Sequence, residues 1–191
     1  MNRPADTRMT GAAYWEPLWQ SGRRYRTINE AESEALRRHL GPGRGRPALD
    51  IGCGEGALTA QLTQLGYRTA GIDCSPTAVA TAQSNHPDLG FHVHDFGNDD
   101  PAGLPHPSLS VISCRLVYRW IPDKSAFLNR VRSLLAPGGT LWVVTSVHDP
   151  SQGHPKAWDL NTEEIELLTT SWSRVRLTQL DPSFHCYALQ S

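Results

Sequence analysis

No apolar run in this chain approaches the roughly 20 residues that a membrane-spanning helix requires. The opening segment MNRPADTRMTGAAYW has no apolar core of the signal-peptide kind, and a cytoplasmic location is the expectation. An excess of charge of either sign is missing too. The 18 Lys and Arg residues face 19 Asp and Glu, which argues against a nucleic-acid surface or a membrane-binding basic face. Cysteines are few: Cys53, Cys74, Cys114 and Cys186 include no CxxC pair. No disulfide framework or zinc site is therefore expected, and the four read as reduced thiols with no metal. There is no internal repeat. Hydrophobic residues make up 39% of 191, enough for one buried-core domain in a chain too short for two comfortable ones.

A Gly/Arg/Pro stretch, Gly41 to Pro47, divides residues 1–45 from 46–191. Before it, Asn29 followed by AESEALRRHL predicts a capped helix, acidic at its start and basic at its end. After it, strand and helix patterns alternate. Strands are expected at Ala48–Ile51, Arg68–Asp73, Phe91–Val93, Leu109–Ser113 and Leu141–Val147. Helices are expected at Gly56–Leu65, after the Ser75-Pro76 cap, at Asp123–Leu135 up to Pro137-Gly138-Gly139, and after a Thr162 cap. Arg174–Leu180 and Phe184–Leu189 flank a turn and read as a β-hairpin. This order predicts an α/β fold with a doubly wound, mostly parallel seven-stranded sheet, a C-terminal antiparallel hairpin and helices on both faces. A ligand is expected beyond the carboxyl ends of the strands, where strand order reverses.

The first strand runs into Asp50-Ile51-Gly52-Cys53-Gly54-Glu55-Gly56, where glycines let the backbone turn sharply and approach a ligand. With Ala57 the loop also satisfies a GxGxxA dinucleotide pattern. Asp50 weighs against that reading, because a carboxylate there repels a pyrophosphate and instead suits the α-amino group of a methionine moiety. Asp73 ends the second strand at a separation suited to ribose hydroxyls, which serves either kind of nucleotide. Asp95 follows the third strand in His92-Val93-His94-Asp95-Phe96, placed either to accept from an adenine amino group or to cap local backbone. His92 and His94 alternate on a strand and are expected to face outward. His86, His106 and His154 sit beside prolines and are expected in solvent.

The segments ALDIGCGEGALTAQL, AGIDCSPTAVATA, FHVHDF and SVISCRLVYRWIPDKSAFLNRVRSLLAPGGTLWVV, in this order and spacing, resemble the successive motifs of class I (Rossmann-like) S-adenosylmethionine-dependent methyltransferases of small-molecule type. The likeness covers about residues 46–147. It implies that Asp50, Gly52 and Gly54, with Cys53 between them, hold the methionine end of S-adenosylmethionine. It further implies that Asp73, beside Cys74, holds the ribose, that Asp95 and Phe96 hold the adenine, and that Cys114 offers its backbone carbonyl from just past the fourth strand. Many small-molecule members carry His where this chain has Trp120, so a base at that position is absent; Tyr118 and His148 are the candidates for a base or orienting group, with Tyr14 behind them.

Residues 1–45 are expected to form a helical lid or cap on the methyltransferase core of 46–191. The aromatic run Tyr14, Trp15, Trp19 and Tyr25 resembles the Trp-containing N-terminal lid of thiol and halide methyltransferases. Trp19 and Tyr25 then either close over the cofactor or pack on the sheet edge. The implied partner is a small-molecule methyl acceptor at O, N, S or C, with S-adenosylhomocysteine as product and a monomer or homodimer as the assembly. Two other functions compete: an NAD-dependent oxidoreductase, and a non-catalytic module that binds S-adenosylmethionine.

Overall fold

The computed structural model describes residues 11–100, 104, 108–148, 151, 153–156 and 158–191. His106 lies outside them. One seven-stranded sheet organises the chain, in the order β3-β2-β1-β4-β5-β7-β6. Its strands are β1 (Pro47–Ile51), β2 (Arg68–Asp73), β3 (Gly90–Val93), β4 (Leu109–Arg115), β5 (Leu135–Ser146), β6 (Arg174–Asp181) and β7 (Phe184–Gln190). β1 to β5 pair in parallel, and β7 runs antiparallel to both β5 and β6. The expected fold is the observed one.

Alternation along the central strands builds two apolar layers, because successive side chains point to opposite faces. Leu49, Ile51, Ile112, Leu141 and Val143 face a cluster with Phe127, Leu128, Val131 and Leu168, which come from α5 (Lys124–Leu134) and α6 (Thr162–Thr169). Ala48, Val111, Trp142 and Val144 face the other cluster, with Ala35 and Leu36 of α2 (Glu30–Leu40) and Leu58 and Leu62 of α3 (Ala57–Gln64). Ala35 and Leu36 are each 1% exposed, so α2 is a layer of the core. α1 (Ala12–Gln20) packs instead against α4 (Pro76–Asn85).

Beyond one-residue shifts at several strand and helix ends, three boundaries differ from expectation for a visible physical reason. β4 continues two residues beyond Ser113, because Cys114 and Arg115 pair with Val143 and Val144 of β5. β5 begins at Leu135, paired with Leu109, and Pro137-Gly138-Gly139 is taken up in the register shift before Thr140 pairs with Val111. The α6 cap is Asn161 rather than Thr162. The Asn161 side chain accepts from the Glu164 amide and the Glu164 side chain accepts from the Asn161 amide, a reciprocal capping box.

Candidate functional site

Strand order reverses between β1 and β4, whose carboxyl ends lead into the two segments that open the sheet. A cleft of about 1050 Å³ lies there, lined by Asp50–Glu55 on one side and Arg115–Val117 on the other. That volume sits at the upper limit for small-molecule sites, roughly 300–1,000 Å³.

The turn after β1 requires glycine. Gly52 has φ 67°, and a Cβ built on it would stand 2.2 Å from Val117 Cγ2. Gly54 has φ 55°, and a Cβ there would stand 3.1 Å from the Trp19 ring. Backbone and indole are thus in direct contact, with Trp19 8% exposed and Tyr25 against it at a ring separation of 5.3 Å.

Asp50 is 1% exposed and accepts from the hydroxyls of Thr59 and Ser113, each at 2.7 Å. Burial pushes its carboxyl up to about 6 despite those two bonds. A cation brought beside Asp50 would favour its carboxylate form. Asp73, 8% exposed at the end of β2, accepts from the Gly54 amide at 3.0 Å and the Ser75 amide at 2.9 Å. One carboxylate thereby ties the glycine turn to the cap of α4. Burial raises its pKa as well.

Asp95 lines the cleft, but its oxygens are bonded to the Gly97 amide (3.0 Å) and the Asn98 side chain (2.8 Å), the local-capping arrangement. Phe96 is buried edge-on against Phe127 and also lines the cleft. Cys53 and Cys74 line it too, and burial raises both thiols, Cys74 to about 12, which leaves them protonated and unreactive.

α1 reaches this end of the sheet through one carboxylate. Glu16 accepts from Ser75 Oγ at 2.5 Å, Thr77 Oγ1 at 2.6 Å and the Thr77 amide at 3.1 Å, at the N-terminus of α4. These bonds lower its pKa. Tyr14 and Trp15 meet Trp120, with ring separations of 6.4 and 5.3 Å.

Several expected site residues lie elsewhere. Tyr118 is fully buried against Phe127, does not line the cleft, and its hydroxyl has no partner among the described residues. Burial raises its pKa, the opposite of what a base requires. The short helix Tyr118–Trp120 turns Trp120 toward the cleft and Tyr118 into the core. His148 is half-buried beyond the end of β5 and does not line the cleft either, since Val147 bridges to Leu160 and carries the chain away. Cys114 lies within β4, not past it, with no exposed surface; the residues that reach the cleft are Arg115, Leu116 and Val117. His92 is exposed as expected, whereas His94 is 9% exposed and lines the cleft. His154 is exposed, and His86 is half-buried near Phe91.

Sequence reasoning did not single out Glu16, Arg26, Glu32, Arg115 or Trp158. Glu32 carried only the signal of an acidic first turn, yet it is fully buried between Arg26 and Arg115. Nothing local marks that arrangement, because its partners lie 6 and 83 positions away.

A parallel sheet that reverses between β1 and β4, with a glycine turn and acidic residues at its carboxyl edge, defines an α/β nucleotide-cofactor domain with a methyltransferase's terminal hairpin. A family model described as "Methyltransferase domain" matches residues 49–141. The proteins this chain is similar to are class I, Rossmann-like S-adenosylmethionine-dependent methyltransferases. The ubiquinone biosynthesis O-methyltransferase of Xanthomonas axonopodis pv. citri is 30% identical over 127 residues, 65% of this chain and 52% of that one. The trans-aconitate 2-methyltransferase of Methylobacterium radiotolerans is 35% identical over 100 residues, 51% of this chain and 37% of that one. The chain thus spans about half the length, or less, of these curated relatives. Among solved structures, the Burkholderia thailandensis 1,6-didemethyltoxoflavin-N1-methyltransferase superposes over 100% of this chain and 91% of its own, with a TM-score of 0.68 and 20% identity. A methyltransferase from Aquifex aeolicus covers 83% and 89%, with a TM-score of 0.67 and 18% identity. These likenesses show the fold.

Proposed function

We propose that the protein transfers a methyl group from S-adenosylmethionine to a small-molecule acceptor bound in the same cleft. The observation that carries this reading is the Asp73–Gly54 bond beneath Trp19, which joins the glycine turn, a carboxylate for ribose and an aromatic cover at one point. When bound, S-adenosylmethionine supplies an electrophilic methyl group on a sulfonium sulfur. The residues present fit it. Gly52 and Gly54 leave a cradle that a Cβ would fill, and Asp50 is a buried carboxyl whose ionisation an ammonium group favours. Asp73 keeps lone pairs for two hydroxyls, and Phe96 lines the same cleft.

The chain's contribution to rate is alignment and exclusion of water. Trp19 and Tyr25 cover the glycine turn, and Glu16 holds α1 in that position. We read α1 as the lid of the site and α2 as its footing in the core. Neither Tyr118 nor His148 reaches the cleft, whereas Tyr14 and His94 line it and are the remaining candidates for a base or orienting group. The terminal hairpin and Asp50 favour this reading over NAD chemistry. The test is transfer of a labelled methyl group from S-adenosylmethionine to a panel of phenols, thiols, carboxylates and amines. Labelled product from at least one acceptor is expected. Tight cofactor binding with no transfer to any of them would favour a non-catalytic binding module.

A further inference from the structure

We propose that Glu16 is a positioning residue of the site: it fixes α1 through the same hydrogen-bonded network that presents Asp73, so that a ligand seated on Asp73 steadies α1. Asp73 accepts from two backbone amides, those of Gly54 at 3.0 Å and Ser75 at 2.9 Å. α1 touches both of these residues. The Trp19 ring lies against Gly54, 3.1 Å from where a Cβ would stand, and the Glu16 carboxylate accepts from Ser75 Oγ at 2.5 Å. Glu16 and Trp19 are three positions apart, which puts them on one face of the helix. The contacts therefore close a loop that leaves α1 at Glu16, runs through Ser75, Asp73 and Gly54, and returns to α1 at Trp19.

Little else holds α1. It is nine residues long, short of what an isolated helix needs to persist in water, and it carries Pro17 inside and no side-chain cap at Gly11. Of its residues Trp19 alone is buried. Among the described residues, Glu16 is the one side chain of α1 that hydrogen-bonds another element. Besides Ser75 it accepts from Thr77 Oγ1 at 2.6 Å and from the Thr77 amide at 3.1 Å. A carboxylate is the charge favoured at the N-terminus of the ten-residue α4. Ser75, with no exposed surface, caps the same helix by accepting from the Ala78 amide at 3.0 Å. It thus serves Asp73, α4 and Glu16 at once. Toward the other wall, Tyr14 and Trp15 meet Trp120, so α1 links Asp73 to the segment that follows β4.

The ligand arm of the test rests on the function proposed above; the arm without ligand does not. Hydrogen–deuterium exchange of the α1 amides would be followed on the full chain with and without S-adenosylhomocysteine, in the wild type, Glu16→Gln and Thr77→Val. Glu16→Gln keeps the shape of the side chain and removes its charge. Thr77→Val removes one donor from the α4 side and leaves α1 itself unaltered. Exchange in the central strands and cooperative thermal melting check folding.

Without ligand, the α1 amides of Glu16→Gln should exchange about tenfold faster than in the wild type, the scale of a hydrogen bond to a charged group. Thr77→Val should act in the same direction by a smaller factor, and the central strands should be unchanged in both. S-adenosylhomocysteine should slow α1 exchange in the wild type and give much less protection in Glu16→Gln. Equal α1 exchange in the wild type and Glu16→Gln would overturn the proposal. So would an acceleration spread evenly over α1 and the strands, the mark of a residue that only stabilises the fold, or ligand protection of α1 that Glu16→Gln leaves whole. Failure of the wild type to bind S-adenosylhomocysteine would instead strike the proposed function; the arm without ligand would still decide whether Glu16 positions α1.

Discussion

At the carboxyl ends of β1, β2 and β3 the cleft is lined by carboxylates; at those of β4 and β5 it is lined by guanidinium groups, hydroxyls and aromatic rings. The first half is made mostly by short-range devices, the Asp50–Ser113 and Asp73–Gly54 bonds apart. Asp50 and the glycine turn lie within a few residues of each other, and Asp73 caps the loop two residues on. The second half is made at long range. Arg115 finds Glu32 across 83 positions, and Arg26 finds Asp181 across 155. On the function proposed above, the first half receives the cofactor and the second the acceptor.

The largest effect expected from breaking this contrast is at Asp73. Asp73→Ala removes the acceptor of two backbone amides and of any ribose hydroxyls. Binding of S-adenosylhomocysteine should weaken by about 1.5–3 kcal/mol, the scale of hydrogen bonds to a charged group. Asp73→Asn should lose less, since one acceptor oxygen survives. An unchanged dissociation constant in the Ala variant would remove Asp73 from the site.

Asp50 gives a middle-sized effect with a definite sign. Its pKa is about 3.9 in an unfolded chain, and the fold pushes it up to about 6. The native state therefore holds the proton more tightly. This group's contribution to stability is fully present below about pH 4 and is lost as pH rises through about 6. Affinity for the ammonium-bearing ligand should run the other way and tighten as pH rises from 5 to 7. Burial raises the pKa of Asp73 as well. Asp50→Asn should flatten the stability profile across this window while weakening S-adenosylhomocysteine. Urea titrations and calorimetry at matched pH values measure both; a profile that Asp50→Asn leaves unchanged would count against the assignment.

The smallest effect is expected outside the cleft, in the core. Tyr118→Phe deletes a buried hydroxyl that has no partner among the described residues. It should leave cofactor binding and turnover as they are, and stability should hold or rise by about 1–2 kcal/mol. A large loss of turnover in a well-folded Tyr118→Phe variant would return Tyr118 to the catalytic candidates.

The same contrast accounts for how much was legible beforehand. The seven strands, the glycine turn and Asp73 were readable because strand alternation, turn chemistry and caps are written within a few residues of each other. Tyr118 and His148 were misplaced because sequence position at a strand's end does not reveal which way a side chain turns. The short helix at Tyr118–Trp120 turns Tyr118 into the core, where a place in the cleft was expected. Cys114 was placed one step too far because pairing with β5 prolongs β4, a tertiary effect. Glu32 reads as an ordinary first-turn acid until its partners arrive from two other segments.

Calorimetric titration of the wild-type protein with S-adenosylhomocysteine, beside NAD under the same conditions, tests the central claim most directly. The account predicts saturable binding of S-adenosylhomocysteine and none of NAD. A cooperatively folded protein that shows no heat with S-adenosylhomocysteine at millimolar concentration would contradict it.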